Sequence, residues 1–250
     1  PDPAASRLTE VLRALSRDPQ SVPLLVEAGE ASLKLDDLSA ADGFFKRAES
    51  VSPDDARLKA GKASLLVRQA NPLDALRLFD EAERGGVAMT AYANDRGVAF
   101  DLVGDNVQAQ REYRRALASG VDASISMRLA LSQAIAGDQA GADATLSPLL
   151  QRSDLAAYRT RAFALAILGR EEEAVSIANT TMPPELASAI APYLRYMRKL
   201  TPAQQAAAAN LGFFPQASQI GIDNARIAEW VEARGLKRLV IAEPVAPPVV

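Results

Sequence analysis

The 250-residue chain has no cysteine and no histidine. Thiol nucleophiles, imidazole bases, disulfides and the ordinary zinc and haem ligands are all excluded at once. Without cysteine, composition carries no information on redox compartment. Aromatics are scarce at 5%, while alanine and leucine dominate a hydrophobic content of 48%. That mix favours closely packed helices over sheets. No run of about 18 apolar residues occurs, so no helix is expected to span a membrane. The net charge is −3 and there is no Lys/Arg-rich run, which sets nucleic acid aside as a partner.

Catalytic motifs are equally sparse. Gly85-Gly86 stands alone and cradles no phosphate. Asp36-Asp37, Asp54-Asp55 and Glu171-Glu172-Glu173 fall where helices begin, and there carboxylates accept N–H bonds and suit the helix dipole. None has the alternating oxygen ligands of a calcium loop. No metal or cofactor is expected. Two-carboxylate hydrolysis stays formally open, although no carboxylate pair has a context that singles it out.

What is present is a repeat. Ala41, Phe45 and Ala48 recur as Ala75, Phe79 and Ala82, then as Ala109, Tyr113 and Ala116, each set one constant step after the last. Gly29, Ala63 and Gly97 share one upstream phase, where two helices must cross closely. Ser32, Leu66 and Phe100 follow, and turns are marked by Asp36-Asp37, Asn71-Pro72 and Gly104-Asp105. Weaker copies, at slightly shorter steps, centre on Ala130, Gly137-Asp138, Ala142 and Leu146, and on Ala162, Gly169-Arg170, Ala174 and Ala178. Residues 6–17 read as a lone helix at the front.

A period of about 34 residues, made of paired helices, resembles the tetratricopeptide repeat (TPR). The resemblance implies an all-α, right-handed superhelical solenoid of about five helix pairs, with an N-terminal helix and a non-repeat helical cap. One helix pair cannot bury its own apolar face, so stacked pairs build one continuous core. The expected boundaries are 1–182 for the solenoid, 183–236 for the cap and 237–250 for a Pro-rich tail.

In the cap region, Leu186, Ile190, Tyr193, Leu194 and Met197 fall at helical spacing within 185–199. Thr201-Pro202 predicts a helix start and Gly212 its end; a last helix over 224–233 carries Trp230, with Gly235 as its C-cap. Two readings stay open for this segment: a cap over the last repeat, or a second docking surface around Phe213, Phe214 and Trp230. Leu239-Val240-Ile241 reads as a short strand, and residues 243–250, EPVAPPVV, as an extended linker.

Two segments, ANDRGVAFDLVGD from Ala93 and RLALSQAIAG from Arg128 with the later LSPLL, resemble the TadD family, TPR lipoproteins of tight-adherence (Flp) pilus assembly. The block YLRYMRKLTPAQQAAAANLGFFP from Tyr193 is similar to alphaproteobacterial TPR proteins, some of which end in a peptidoglycan-binding SPOR domain. These resemblances imply a periplasmic or outer-membrane-associated assembly factor, with a cytoplasmic location left open. The start Pro1-Asp2-Pro3 leaves room for a removed signal peptide or a lipid anchor upstream.

The TPR resemblance further implies a concave groove lined by first-helix residues. Read onto this chain, these are Arg57, Arg68, Asn94, Asp95, Asp101, Arg128 and Arg159, among apolar neighbours such as Val98 and Phe163. The set does not match the carboxylate clamp of chaperone-tail-binding TPRs, and Asn94 with Arg128 forms its expected centre. The leading function is a non-catalytic scaffold that holds a protein or peptide. The alternatives are a cell-wall-associated enzyme or enzyme-regulatory domain using Asp/Glu chemistry, and a structural spacer without a groove.

Overall fold

The computed structural model describes residues 2–236. The strand expected at Leu239–Ile241 and the linker at 243–250 lie outside the described residues. The described residues form fourteen α-helices and no strand. A lone helix α1 (Pro3–Leu15) precedes five pairs: α2 (Val22–Lys34) with α3 (Leu38–Val51), α4 (Ala56–Arg68) with α5 (Pro72–Arg84), α6 (Ala93–Asp101) with α7 (Asn106–Leu117), α8 (Ala123–Ile135) with α9 (Gln139–Gln151), and α10 (Leu155–Ile167) with α11 (Glu171–Thr181). Then come α12 (Pro184–Tyr196), α13 (Pro202–Leu211) and α14 (Ala225–Ala233). A 3-10 turn, Met89–Tyr92, leads into the short α6.

The period is written into the backbone of the turns inside each pair. Asp36, Ala70, Gly104, Gly137 and Gly169 all adopt a left-handed φ, between 54° and 81°. The next N–H then bonds back to the first helix: Asp37 to the Ser32 carbonyl, Asn71 to Leu66, Asp105 to Phe100, Asp138 to Gln133 and Arg170 to Leu165, at 2.8–2.9 Å. This closes the first helix. In three pairs the same residue starts the second helix, since the Asp37, Asp105 and Asp138 side chains accept the N–H groups of Ala40, Gln108 and Gly141. Asp55 caps α4 in the same way. The acidic pairs therefore act as helix caps.

The pairs lock through a ring on the second helix set against a small residue on the first. Phe45, Phe79 and Tyr113 are fully buried, and so is Leu146 at the matching site of the fourth pair. A Cβ on Gly97 would lie 2.6 Å from Tyr113 Cε1, and one on Gly61 of α4 would lie 2.7 Å from Phe45 Cε1. Phe45 also meets Gly29 of α2, so one ring joins two successive first helices. First helices also pack on one another along the row α2, α4, α6, α8, α10 and α12. The core divides into a small cluster over α1 to α4 and a larger one running from α4 to α13.

Tyr113 brings a hydroxyl into this core, and Asp101 answers it. The Tyr113 hydroxyl donates to Asp101 Oδ2 at 2.9 Å. Asn106 Nδ2 and the Ser132 hydroxyl donate to Oδ1 at 2.7 and 2.6 Å. Asp101 has 0% exposure. Burial pushes its carboxyl up to about 7, against the three donors that favour the anion. Asp101 is therefore a core residue rather than a groove residue, contrary to the sequence-based expectation. Its repeat phase explains this: Leu33, Val67, Ala134 and Ala166 hold the same position and are all buried. Val98 is buried as well, at 1% exposure.

The C-terminal region does more than close the last pair. Helix α12 covers α10 and α11, as a cap should. The chain then turns back, and α13 packs on α6, α8 and α10, along the face of the first helices. Thr201 and Gln204 form a reciprocal capping box at its start, and Gly212 ends it at φ 71°. Ala203, Ala206 and Ala208 are buried and let α13 lie close, while Gln205 donates to the Met197 carbonyl at 3.0 Å. Arg226 of α14 reaches Asp74 of α5 at 3.2 Å. The expected helix over 185–199 ends at Tyr196 and continues as a 3-10 turn.

Three outcomes are expected. Ala70 is exposed at φ 54°, where a Cβ is strained; Ala70→Gly should stabilise the protein by about 0.5–1 kcal/mol in urea unfolding, and Ala70→Val should destabilise it. Gly97→Ala should cost about 1–3 kcal/mol by overpacking against Tyr113, and Tyr113→Leu should recover part of that loss in the double variant. Asp101 binds its proton more tightly when folded than unfolded, so its contribution is present below about pH 4 and is lost as pH rises towards about 7. Thermal midpoints of the wild type should therefore fall relative to Asp101→Asn between about pH 4.5 and 7.5, and a constant difference would contradict this.

Candidate functional site

The face of the first helices has an open part and a covered part. The open part lies between α2, α4 and the turn entering α6, and encloses about 540 Å³. It brings together Arg57, Arg68 and Asp95 of the expected set. It also contains Glu30, Lys34 and Tyr92, which sequence reasoning missed. A signal for two of them existed: Lys34 stands one repeat before Arg68, and Glu30 one repeat before Ser64. Carrying the phase back into the first pair would have found both. Tyr92 belongs to an irregular turn, and no periodic pattern marks it.

A partly exposed polar bridge spans this groove. Glu30 accepts from Arg57 Nη2 at 2.7 Å and from the Tyr92 hydroxyl at 2.5 Å, tying the first, second and third pairs together. Burial, and then Glu30, push the Tyr92 phenol well above its usual range, so Tyr92 stays a neutral donor. The hydrogen bond to Glu30 raises Arg57 further, so it stays cationic. Arg68 approaches the exposed Asp36 no closer than 3.8 Å, a spacing that contributes little. Lys34 projects into solvent beside it. Asp95 accepts from its neighbour Asn94 at 3.2 Å. Leu33 and Val87 supply apolar wall, and the buried Ser64 hydroxyl meets no partner. The groove thus combines an apolar wall with a few hydrogen-bonded polar groups and two cations, Lys34 and Arg68.

Helix α13 covers the remainder. Asn94 and Arg128 sit on neighbouring helices α6 and α8, both of which α13 crosses, and neither the open groove nor the cavity under α13 brings the two together. Arg128 is instead grouped with Arg159 beneath the end of α13. Asp101, the carboxylate with the most displaced titration, is sealed in the core and lines none of these cavities, so it has no access to a substrate. Among the described residues no group of three or more His, Cys, Asp or Glu could hold a metal.

Phe213 and Phe214 share a shallow cavity with Pro72, Leu102 and Ile227, and Phe214 packs 4.3 Å from the Tyr193 ring. Trp230 is not part of that cavity: it is half-buried, with the Arg234 guanidinium 3.1 Å above its ring. The aromatic pair thus faces Ala70, Pro72 and Leu102 across that cavity, with Phe213 still half-exposed.

Residues 89–202 match the family model for the Tetratrico peptide repeat. No curated protein matches the sequence. Among solved structures the chain is similar to PilW, described as a widely conserved type IV pilus biogenesis factor, with a TM-score of 0.53 and 22% identity over 73% of this chain and 88% of that one. It is also similar to a tetratricopeptide repeat protein from Parabacteroides merdae, with a TM-score of 0.55 and 15% identity over 92% and 91% of the two chains. No described helix is long and apolar enough to cross a membrane. The repeated turns, the ring-on-glycine packing, the family match over residues 89–202 and these likenesses agree that the described chain has the fold of a tetratricopeptide-repeat solenoid.

Proposed function

We propose that this protein is a non-catalytic scaffold that holds a segment of another protein in the groove between α2, α4 and α6. The observation that carries this reading is the division of the inner face: α13 lies across its C-terminal half, while about 540 Å³ stays open in the N-terminal half. The bridge of Glu30, Arg57 and Tyr92 ties the walls of that groove together before any partner arrives. A spacer would need neither the gap nor the bridge. Lys34 and Arg68, which stand at one rim, favour a segment carrying negative charge.

The setting we propose is assembly of an envelope appendage in bacteria, periplasmic or at the outer membrane. The resemblance to the TadD family supports it, and the likeness to the fold of a type IV pilus biogenesis factor is in keeping with it. A photo-crosslinking residue placed at Ala91, an exposed lining position, should capture a discrete envelope protein in cells of the source bacterium. The same residue at Val107, 71% exposed on α7, should not. Lys34→Glu combined with Arg68→Glu should reduce the Ala91 product several-fold without changing the melting temperature. Equal capture from both positions would remove the groove reading; a partner from outside the envelope would remove the assembly setting alone.

A further inference from the structure

Where α13 crosses α8 and α10, a cavity of about 320 Å³ remains beneath its last turn. That is near the lower end of the roughly 300–1,000 Å³ of ligand clefts. It shares no lining residue with the open groove. Arg128 of α8 and Arg159 of α10 line it, and no carboxylate does. Neither arginine forms a salt bridge among the described residues, and the buried Nη1 of Arg128 meets no acceptor. Asp122 acts on Arg128 by longer-range attraction, with no hydrogen bond between them; its Oδ1 accepts from the Ile125 N–H at 3.0 Å and the Ser124 hydroxyl at 2.8 Å. A buried cationic donor without an acceptor is costly, and a neighbouring cation adds to that cost. An anion arriving there would relieve both.

The other walls narrow the chemistry. Met127, Leu131 and Phe163 form an apolar side. On α13, Asn210 donates its amide to the Ala206 carbonyl at 3.1 Å, which leaves a buried Oδ1 that meets no donor. The site thus calls for an anion, an N–H donor and an apolar side chain within the volume of a residue or two. The last residue of a peptide presents all three on a single Cα. A glutamate or aspartate side chain would present the anion but not the apolar group beside it.

We propose that this cavity binds the C-terminal residue of a peptide whose last side chain is apolar. Its α-carboxylate pairs with Arg128 and Arg159, its N–H meets Asn210, and its side chain packs on Leu131 and Phe163. Guanidinium suits the planar carboxylate, which it pairs through two parallel hydrogen bonds. Because α13 supplies one wall, the site exists only when the C-terminal segment is folded back onto the solenoid. It is a property of this chain's return helix and not of the repeats alone.

The test is an NMR titration of the ¹⁵N-labelled full chain with four probes: N-acetyl-Ala-Leu with a free carboxylate, its C-terminal amide, amidated N-acetyl-Leu-Glu and inorganic phosphate. The free acid should give saturable amide shifts at Arg159, Phe163 and Asn210, and the other three probes should bind about tenfold more weakly or worse. Arg159→Ala, at an exposed side chain, should weaken the free acid by about tenfold while leaving the melting temperature unchanged, and Arg159→Lys, which keeps the charge but not the planar fork, should restore only part of the loss. Lys34→Glu with Arg68→Glu should leave this binding unchanged, which separates the site from the open groove. The proposal is overturned if acid and amide bind alike or not at all, if phosphate or the glutamyl amide matches the free acid, or if Arg159→Ala binds like the wild type.

Discussion

The whole solenoid depends on one close approach, a ring from the second helix of a pair pressed onto a residue of the first helix that has almost no side chain. Phe45 against Gly29 and Gly61, and Tyr113 against Gly97, leave no room for a methyl group. Dispersion falls steeply with distance, so this fit sets both the spacing and the angle of the pair. Phe45 also links α2 to α4, which makes the contact within a pair and the contact between pairs one event. Where the ring is replaced, by Leu146 or Ala178, the site remains fully buried, and the left-handed turns at Gly104, Gly137 and Gly169 follow one another at slightly shorter steps.

One such ring carries a polar consequence. Tyrosine in place of phenylalanine at 113 puts a hydroxyl where no water reaches, and a buried donor needs an acceptor. Asp101, Asn106 and Ser132 form around it a closed network that joins the third and fourth pairs. A carboxyl buried at 0% exposure has a strongly raised pKa, and in a cleft that would suggest acid–base chemistry. Here no cavity reaches it. Its displaced titration is a cost of the packing, not a sign of catalysis.

The second organising event is the return of α13. A stack of helix pairs offers a long inner face, and this chain uses part of that face for itself. An alanine-rich helix suits the purpose, because small side chains let it settle among three first helices with little strain. Capping residues define both its ends, and Gln205 ties it to the Met197 carbonyl. The inner face is thereby split into an open groove near the N-terminus and an arginine-lined cavity under α13.

The repeat, its period, the turns and the caps were all legible in the sequence, because each rests on local rules: a small residue where helices cross, a left-handed turn, a carboxylate accepting N–H bonds. The starts and ends of α13 and α14 were legible for the same reason, from Thr201-Pro202, Gly212 and Asn224. Asp101 was misplaced because its residue type outweighed its phase; Leu33 and Val67 at the same phase were already apolar. The grouping of site residues was not legible. Arg57 with Tyr92, Arg128 with Arg159, and α13 with α6 are brought together by chain reversal over long separations, and that reversal is decided by which apolar surface remains uncovered once the pairs have stacked. The sequence determined the solenoid through interactions repeated once in every helix pair; only the tertiary structure decided how much of its inner face stays open, because that depends on a single contact that does not repeat.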